Sequence, residues 1–247
     1  MPRVEVYIED YTKGGVVAHA PDLWGCHLHA EDRFDVVRSI PETVKEYIDW
    51  RRDVQLPVTL GRGKRHFTIA EELPCCEGGM EHGDAAFLRW DARPMTHAEL
   101  DSSLAVHAAL RGQVEALIRD LDPMVMQWHS RRAGTSVYDL ISKRLYWGTP
   151  FLSRLGWDPY VLPSGGLQCD RLEELRREIA FFLRDLDTFR LEEVIELRSP
   201  TCRSNWTVRK FIRRLCELEI NTLDTIRLII RDYQTSPHIP EERWPSV

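Results

Sequence analysis

Apolar and polar positions alternate at the start of the chain, with Val4, Val6 and Ile8 on one side of an extended segment and Glu5, Tyr7 and Glu9 on the other. A period of two marks a strand with one buried face. Gly14-Gly15 turns the chain into Val16-Val17-Ala18, which predicts a hairpin. The corner Pro21-Asp22-Leu23-Trp24-Gly25 leads to a third strand over Cys26 to Ala30. From Glu31-Asp32 onward the period lengthens: Phe34, Val37, Ile40, Val44, Tyr47 and Ile48 recur at threes and fours, as on one face of a helix. Pro41 lacks an amide hydrogen and crowds the preceding turn, so a kink or a fresh helix start is expected there. After the loop Gly61-Arg62-Gly63-Lys64-Arg65, His66 to Ala70 reads as a fourth strand. Residues 73 to 83 read as a connector, and Ala85 to Trp90 as one more strand.

Past Thr96 the helical period takes over. Leu100, Leu104, Val114, Leu117, Ile118 and Leu121 form one stripe, opened by Thr96 and Glu99 at the spacing of a capping box. Further helices are predicted over Ser136 to Leu155, Leu172 to Leu186 and Trp206 to Tyr233, enough for a four-helix bundle. The tail from Ser236, rich in proline, is expected to be loosely attached. The fold class is thus α+β: a small antiparallel sheet with a helix over residues 1–94, then an all-α bundle over residues 95–247.

Composition narrows the picture. At 247 residues with 43% apolar and 29% charged positions, the chain suits a folded globule and excludes disorder and fibre. No apolar run reaches the roughly 18 residues a spanning helix needs, and Met1-Pro2-Arg3-Val4 enters directly into the first strand, so neither membrane insertion nor export is expected. A cytoplasmic address follows as the expectation. Cys26, Cys75, Cys76, Cys169, Cys202 and Cys216 form no paired ladder and are read as reduced thiols. A net charge of −6 disfavours wholesale binding to a phosphate backbone.

The run Ala18-His19-Ala20-Pro21-Asp22-Leu23-Trp24-Gly25-Cys26-His27-Leu28-His29, followed by a helix ending Val44-Lys45-Glu46-Tyr47-Ile48, resembles the HicB-like antitoxin fold over about the first 60 residues. In that family the small sheet is usually joined to a DNA-reading module. None follows here, so the antitoxin role does not travel with the fold. The second half resembles the DinB-like superfamily of helical bundles, which includes metal-dependent thiol transferases. The resemblance spans about residues 97 to 235 and rests on Thr135-Ser136-Val137-Tyr138-Asp139-Leu140-Ile141-Ser142-Lys143 and on Asn205-Trp206-Thr207-Val208-Arg209-Lys210-Phe211-Ile212. It implies one histidine ligand on the second bundle helix and two on the fourth, at positions that fall on Lys143, Leu218 and Thr222.

None of the three can serve a transition metal well: an ammonium repels it, an alkane has no lone pair, and a hydroxyl is a poor donor. Moreover Phe211, Leu215, Leu218, Thr222, Ile226, Ile229 and Tyr233 form an apolar seam, so two of these positions read as packing. Lys143 either pairs with Glu217 or Glu219 or reaches water. His107 and His129 are the imidazoles placed to approach the old pocket, with Glu219 as a companion carboxylate. His19, His27 and His29 form a second candidate cluster, read chiefly as polar residues on a wet sheet face; Cys75-Cys76 with His82 forms a weaker third. Trp128, Trp147, Trp157 and Trp206 are expected to pack, unless two of them line a cleft for a small apolar ligand. The pairs Arg131-Arg132, Arg176-Arg177 and Arg213-Arg214 are read as solvated helix faces.

These readings make the chain a non-catalytic binding or assembly protein, without cofactor or metal and with a homodimer, a small molecule or another protein as the expected partner. Nucleic acid and membrane are not expected partners. The alternatives are a DinB-like transferase acting on a thiol or other small molecule with altered ligands, and an antitoxin-type partner that caps a toxin through the sheet.

Overall fold

A computed structural model describes residues 3–11, 15–58, 63, 65–75, 86–145, 147–158, 168–198 and 203–236. The predicted hairpin forms from β1 (Arg3–Tyr11) and β2 (Gly15–His19), and β2 pairs in turn with β3 (His27–Ala30), both antiparallel. Asp32 caps the next helix, its carboxylate accepting from the Asp35 amide at 2.8 Å. That helix, α1 (Arg33–Asp53), returns the chain to the far edge of the sheet as β4 (His66–Cys75). A chain that leaves a strand through a crossover helix re-enters in the same direction. Hence β4 runs parallel to β1, the order is β3-β2-β1-β4, and the sheet is mixed rather than antiparallel as expected.

Pro41 neither breaks nor restarts α1. It lies on the exposed side, where water can serve the carbonyl that loses its amide partner. β4 extends to Cys75 and absorbs the start of the expected connector; as an edge strand it tolerates Pro74. The strand expected up to Trp90 is a turn over its described residues. Asp91 closes it, its amide donating to the Leu88 carbonyl at 2.8 Å and its carboxylate accepting from the Leu88 amide at 2.9 Å.

The bundle opens with α2 (His97–Arg119), and the capping box of Thr96 and Glu99 is formed. The short α3 (Pro123–Gln127) follows. The helix expected from Ser136 to Leu155 is two: α4 (Val137–Leu145) and α5 (Thr149–Arg154). Between them Gly148 takes φ +83°, a left-handed value, and an added Cβ there would meet the Phe211 ring at 2.5 Å. Glycine is therefore required by both backbone and space. After α6 (Gln168–Arg184) and α7 (Thr188–Glu192), a hairpin of β5 (Ile195–Arg198) and β6 (Arg203–Trp206) interrupts the all-α expectation. Strands of four residues are too short to register as a period. The last element, α8 (Val208–Gln234), packs against α2, α3, α4 and α7.

Three layers result at the N-terminal end. Val4, Val6 and Ile8 of β1 meet Val36, Ile40, Val44 and Ile48 of α1 on one face of the sheet. Each such fully buried aliphatic side chain stabilises the fold by about 1.5–3 kcal/mol. The other face carries Tyr7, Glu9 and His19 and, against the expectation of a wet face at His19, is covered by α8 and the turn at residues 88–91, so that all three residues are fully buried. Tyr7, Trp24, Leu88 and Trp90 share one core with the bundle. Among the described residues no helix is long and apolar enough to cross a membrane.

Candidate functional site

The three positions expected to match DinB-like ligands, Lys143, Leu218 and Thr222, stand in different settings. Lys143 lies exposed in the last turn of α4, and Glu217 and Glu219 pair with Arg214 and Arg111. Thr222 is buried and its hydroxyl donates to the Leu218 carbonyl one turn back at 2.7 Å, a bond within its own helix. Leu218 is also buried, at the wall of a cleft of about 380 Å³ shared with Arg144, Arg214, Glu217 and Asn221. These three positions thus present an exposed ammonium, an apolar wall and a satisfied hydroxyl.

The predicted companions divide. His129 is exposed and stays outside the bundle. His107 on α2 and Glu219 on α8 do meet, with the imidazole Nε2 3.4 Å from the carboxylate. Arg111, one turn beyond His107, also pairs with Glu219. Burial favours the neutral form of Glu219, yet the Arg111 guanidinium and the His107 ring hold its carboxyl below the ordinary value. For His107 burial prevails over the attraction of Glu219, and Arg111 adds to it, so the ring is held below its ordinary value. This arrangement is an ion pair with a neutral imidazole at its side.

A larger set of ionisable groups sits where the sheet meets α8. His19 is fully buried, its Nδ1 2.7 Å from Glu217 Oε1 and its Nε2 3.3 Å from Glu9 Oε1. Arg213 reaches Asp91 through two bonds of 2.9 and 2.8 Å and lies 3.2 Å from Glu217. Arg214 donates to the other Glu217 oxygen at 2.8 Å, and Tyr11 donates its hydroxyl to Glu9. Three carboxylates, Glu9, Asp91 and Glu217, therefore face two guanidiniums and one imidazole. The charges balance when His19 is protonated. Burial by itself would strip the proton, but Glu217 and Glu9 outweigh it and raise the ring above its ordinary value. Glu217 is buried too, and His19, Arg213 and Arg214 hold it well below the usual carboxylate range.

Sequence reading missed this cluster by assigning Arg213-Arg214 to a solvated face and His19 to a wet one; all three are buried. The available signal was local. Glu9 and His19 stand beside Ile8 and Ala18 in strands, and Arg213 with Glu217 makes an i, i+4 ion pair inside an apolar helix. Lys210, one turn before Arg214, is buried beneath Trp206 at 4.7 Å and donates to the Asn205 carbonyl at 3.0 Å. Burial and then Arg213 lower its amine to about 8.

The histidine trio does not assemble as ligands. His27 Nδ1 lies 2.9 Å from the Gly25 carbonyl oxygen and its Nε2 3.0 Å from Asn221 Oδ1, while both His19 nitrogens face carboxylates. Among the described residues no three His, Cys, Asp or Glu side chains are grouped to hold a metal. His82 and Cys76 lie outside the described residues, as does the Cys75 side chain. The tryptophans pack: Trp147 stacks on Phe211 at 5.6 Å and meets Trp206 edge-on at 6.2 Å, and Trp128 meets Tyr233 at 5.7 Å. Trp157 is partly buried against the same core.

A cleft of about 400 Å³ opens where α1, α2, α8 and β3 come together. Leu28, Tyr47, Trp50, Leu110, Ile220 and Leu223 supply apolar wall, and His27, Glu46, Gln113, Asp224 and Arg227 supply polar edge. It draws on both the N-terminal sheet unit and the bundle. No family model, no curated protein and no solved structure matches this chain.

Proposed function

We propose that this chain is a non-catalytic binding protein that receives a small molecule with an apolar body in the cleft between α1, α2 and α8. On this reading a HicB-like unit and a DinB-like bundle are joined face to face, and two of the bundle's ligand positions, Leu218 and Thr222, have been given over to packing while the third, Lys143, faces water. The cleft carries the proposal. Leu28, Tyr47, Trp50, Leu110, Ile220 and Leu223 give it an apolar side, His27, Thr43, Glu46, Gln113, Asp224 and Arg227 give it polar groups that can fix an orientation, and it sits at the seam of two structural units, where small-molecule sites concentrate. The buried acids and bases support a binding role over a catalytic one, since Glu9, His19, Glu217, Arg213 and Asp91 are engaged with one another and none lines this cleft.

The test uses N-phenyl-1-naphthylamine, an uncharged apolar fluorophore, titrated into the intact protein. Saturable enhancement at one site per chain is expected. Gln113→Trp, on the half-buried wall of α2, fills the cleft and should abolish the enhancement without lowering the melting temperature. Absence of saturable binding, or undiminished binding by the filled variant, refutes the proposal.

A further inference from the structure

A second cleft, of about 540 Å³, lies between the Pro21–Gly25 corner, the end of α1 and the start of α2. Arg51, Arg93 and Arg209 line it together with Trp24, Trp90 and Ser102. Two of the arginines are occupied. Arg93 pairs with Glu5 at 2.8 Å and approaches Asp22 at 4.0 Å. Arg209 pairs with Glu99 at 2.9 Å, donates to the Arg93 and Pro94 carbonyls, and lies over the Trp24 and Trp90 rings.

Arg51 differs. It is only 4% exposed, and its Nε finds no hydrogen-bond acceptor. Among the described residues no carboxylate pairs with its guanidinium. The titratable groups that act on it are Tyr47, Cys216 and Cys26, and burial raises all three so that they stay neutral. A guanidinium cannot discard its charge as a lysine can, and a buried cation without a counter-ion is a costly arrangement. Burial accordingly pushes Arg51 below its ordinary value. A protein that keeps such a group in the lining of an open cleft has left the place of its counter-ion to something from solution. The adjoining Ser102 hydroxyl supplies a neutral donor, and the two acids of the lining, Asp22 and Glu99, are already held by Trp90, Arg93 and Arg209.

We propose that this cleft is a binding site for a small oxyanion, a carboxylate or a phosphate, anchored by Arg51. The site is separate from the α1–α2–α8 cleft and stands whether or not that cleft binds an apolar molecule. Arg is suited to the role because its planar donors match two oxygens of either group at once.

The experiment measures melting temperature and tryptophan fluorescence of the full chain titrated with inorganic phosphate and, in a second arm, with benzoate, each against sodium chloride at equal ionic strength. Saturable stabilisation by at least one probe beyond the chloride control is expected; which arm responds separates phosphate from carboxylate ligands. Arg51→Met keeps an unbranched apolar stem and removes the charge, and should weaken the response at least tenfold. Ser102→Glu leaves Arg51 in place and sets a carboxylate in the cleft, so it too should abolish the response while the protein remains folded. If neither probe exceeds chloride, or if Ser102→Glu responds like the wild type, the site does not exist as described. An undiminished response by folded Arg51→Met overturns it equally.

Discussion

Glu217 holds the junction between sheet and bundle, and replacing it by glutamine tests how that junction works. The carboxylate lies 2.7 Å from His19, 3.2 Å from Arg213 and 2.8 Å from Arg214. In Glu217→Gln, Arg213 keeps its two bonds to Asp91 and His19 keeps Glu9 at 3.3 Å, but Arg214 loses its carboxylate. Breaking a buried pair from one side costs about 3–5 kcal/mol. The surviving contacts and the freedom of His19 to release its proton place the expected loss near the lower end, about 3 kcal/mol near pH 6. For a chain of this size that lowers the melting temperature by roughly 6–12 °C. Urea unfolding should show a lower midpoint at unchanged slope.

The pH dependence gives the sharper test. His19 is raised in the folded state, so its contribution is complete below the ordinary value of 6.5 and is lost as pH rises through the folded value. Glu217 is held low, so its contribution is present above the ordinary value of 4.5 and is lost as pH falls toward the folded value. The difference between wild type and variant should therefore be largest between about pH 4.5 and 6.5 and shrink on the alkaline side. His107, which is depressed and slopes the other way, is common to both proteins and cancels in the difference. A penalty under about 1 kcal/mol near pH 6, or one that grows toward about pH 9, would refute the reasoning.

Two further outcomes follow from the same packing. Gly25 has φ +87°, and an added Cβ would lie 2.9 Å from Cys216 Cβ and 3.2 Å from the Tyr47 hydroxyl; Gly25→Ala should destabilise by about 2–4 kcal/mol in urea titrations, from left-handed strain and overpacking together, and a change below about 1 kcal/mol would show that the corner yields. Cys26 and Cys216 are buried free thiols whose ionisation is pushed up by burial; alkylation mapped by mass spectrometry should modify them only at the rate of global opening, and rapid labelling of either under native conditions would contradict their placement.

Much of the architecture was legible in the pattern. The alternation of Val4, Val6 and Ile8 and the three-four spacing of Ile40, Val44 and Ile48 each report one apolar face, and those faces meet in the structure. The capping box at Thr96 needs only four consecutive residues and was readable for that reason. Short or conditional features were not: β5 and β6 are four residues each, and the break at Gly148 depends on the Phe211 ring, 63 positions away in the chain. The candidate site split along the same line. Leu218 and Thr222 fell in a visible seam and are buried, whereas Lys143 required the helix-to-helix register that no local pattern contains.

Periodicity, then, determined on its own the long strands and helices and which side of each is apolar, because a pattern of two or of three to four is a property of neighbours in the chain. It could not decide what the remaining side of an element meets. Glu5, Tyr7 and Glu9 look alike from sequence as a polar strand face, and the same letters suit water or another polar surface. Tertiary structure chose the second: β2 brings His19 to α8, 198 positions from Glu217, and Arg213 and Asp91 complete a set of charges that is stable in the dark of the interior only because its members arrive together. Charge balance of that kind belongs to the assembled fold, since each group alone would remain in water.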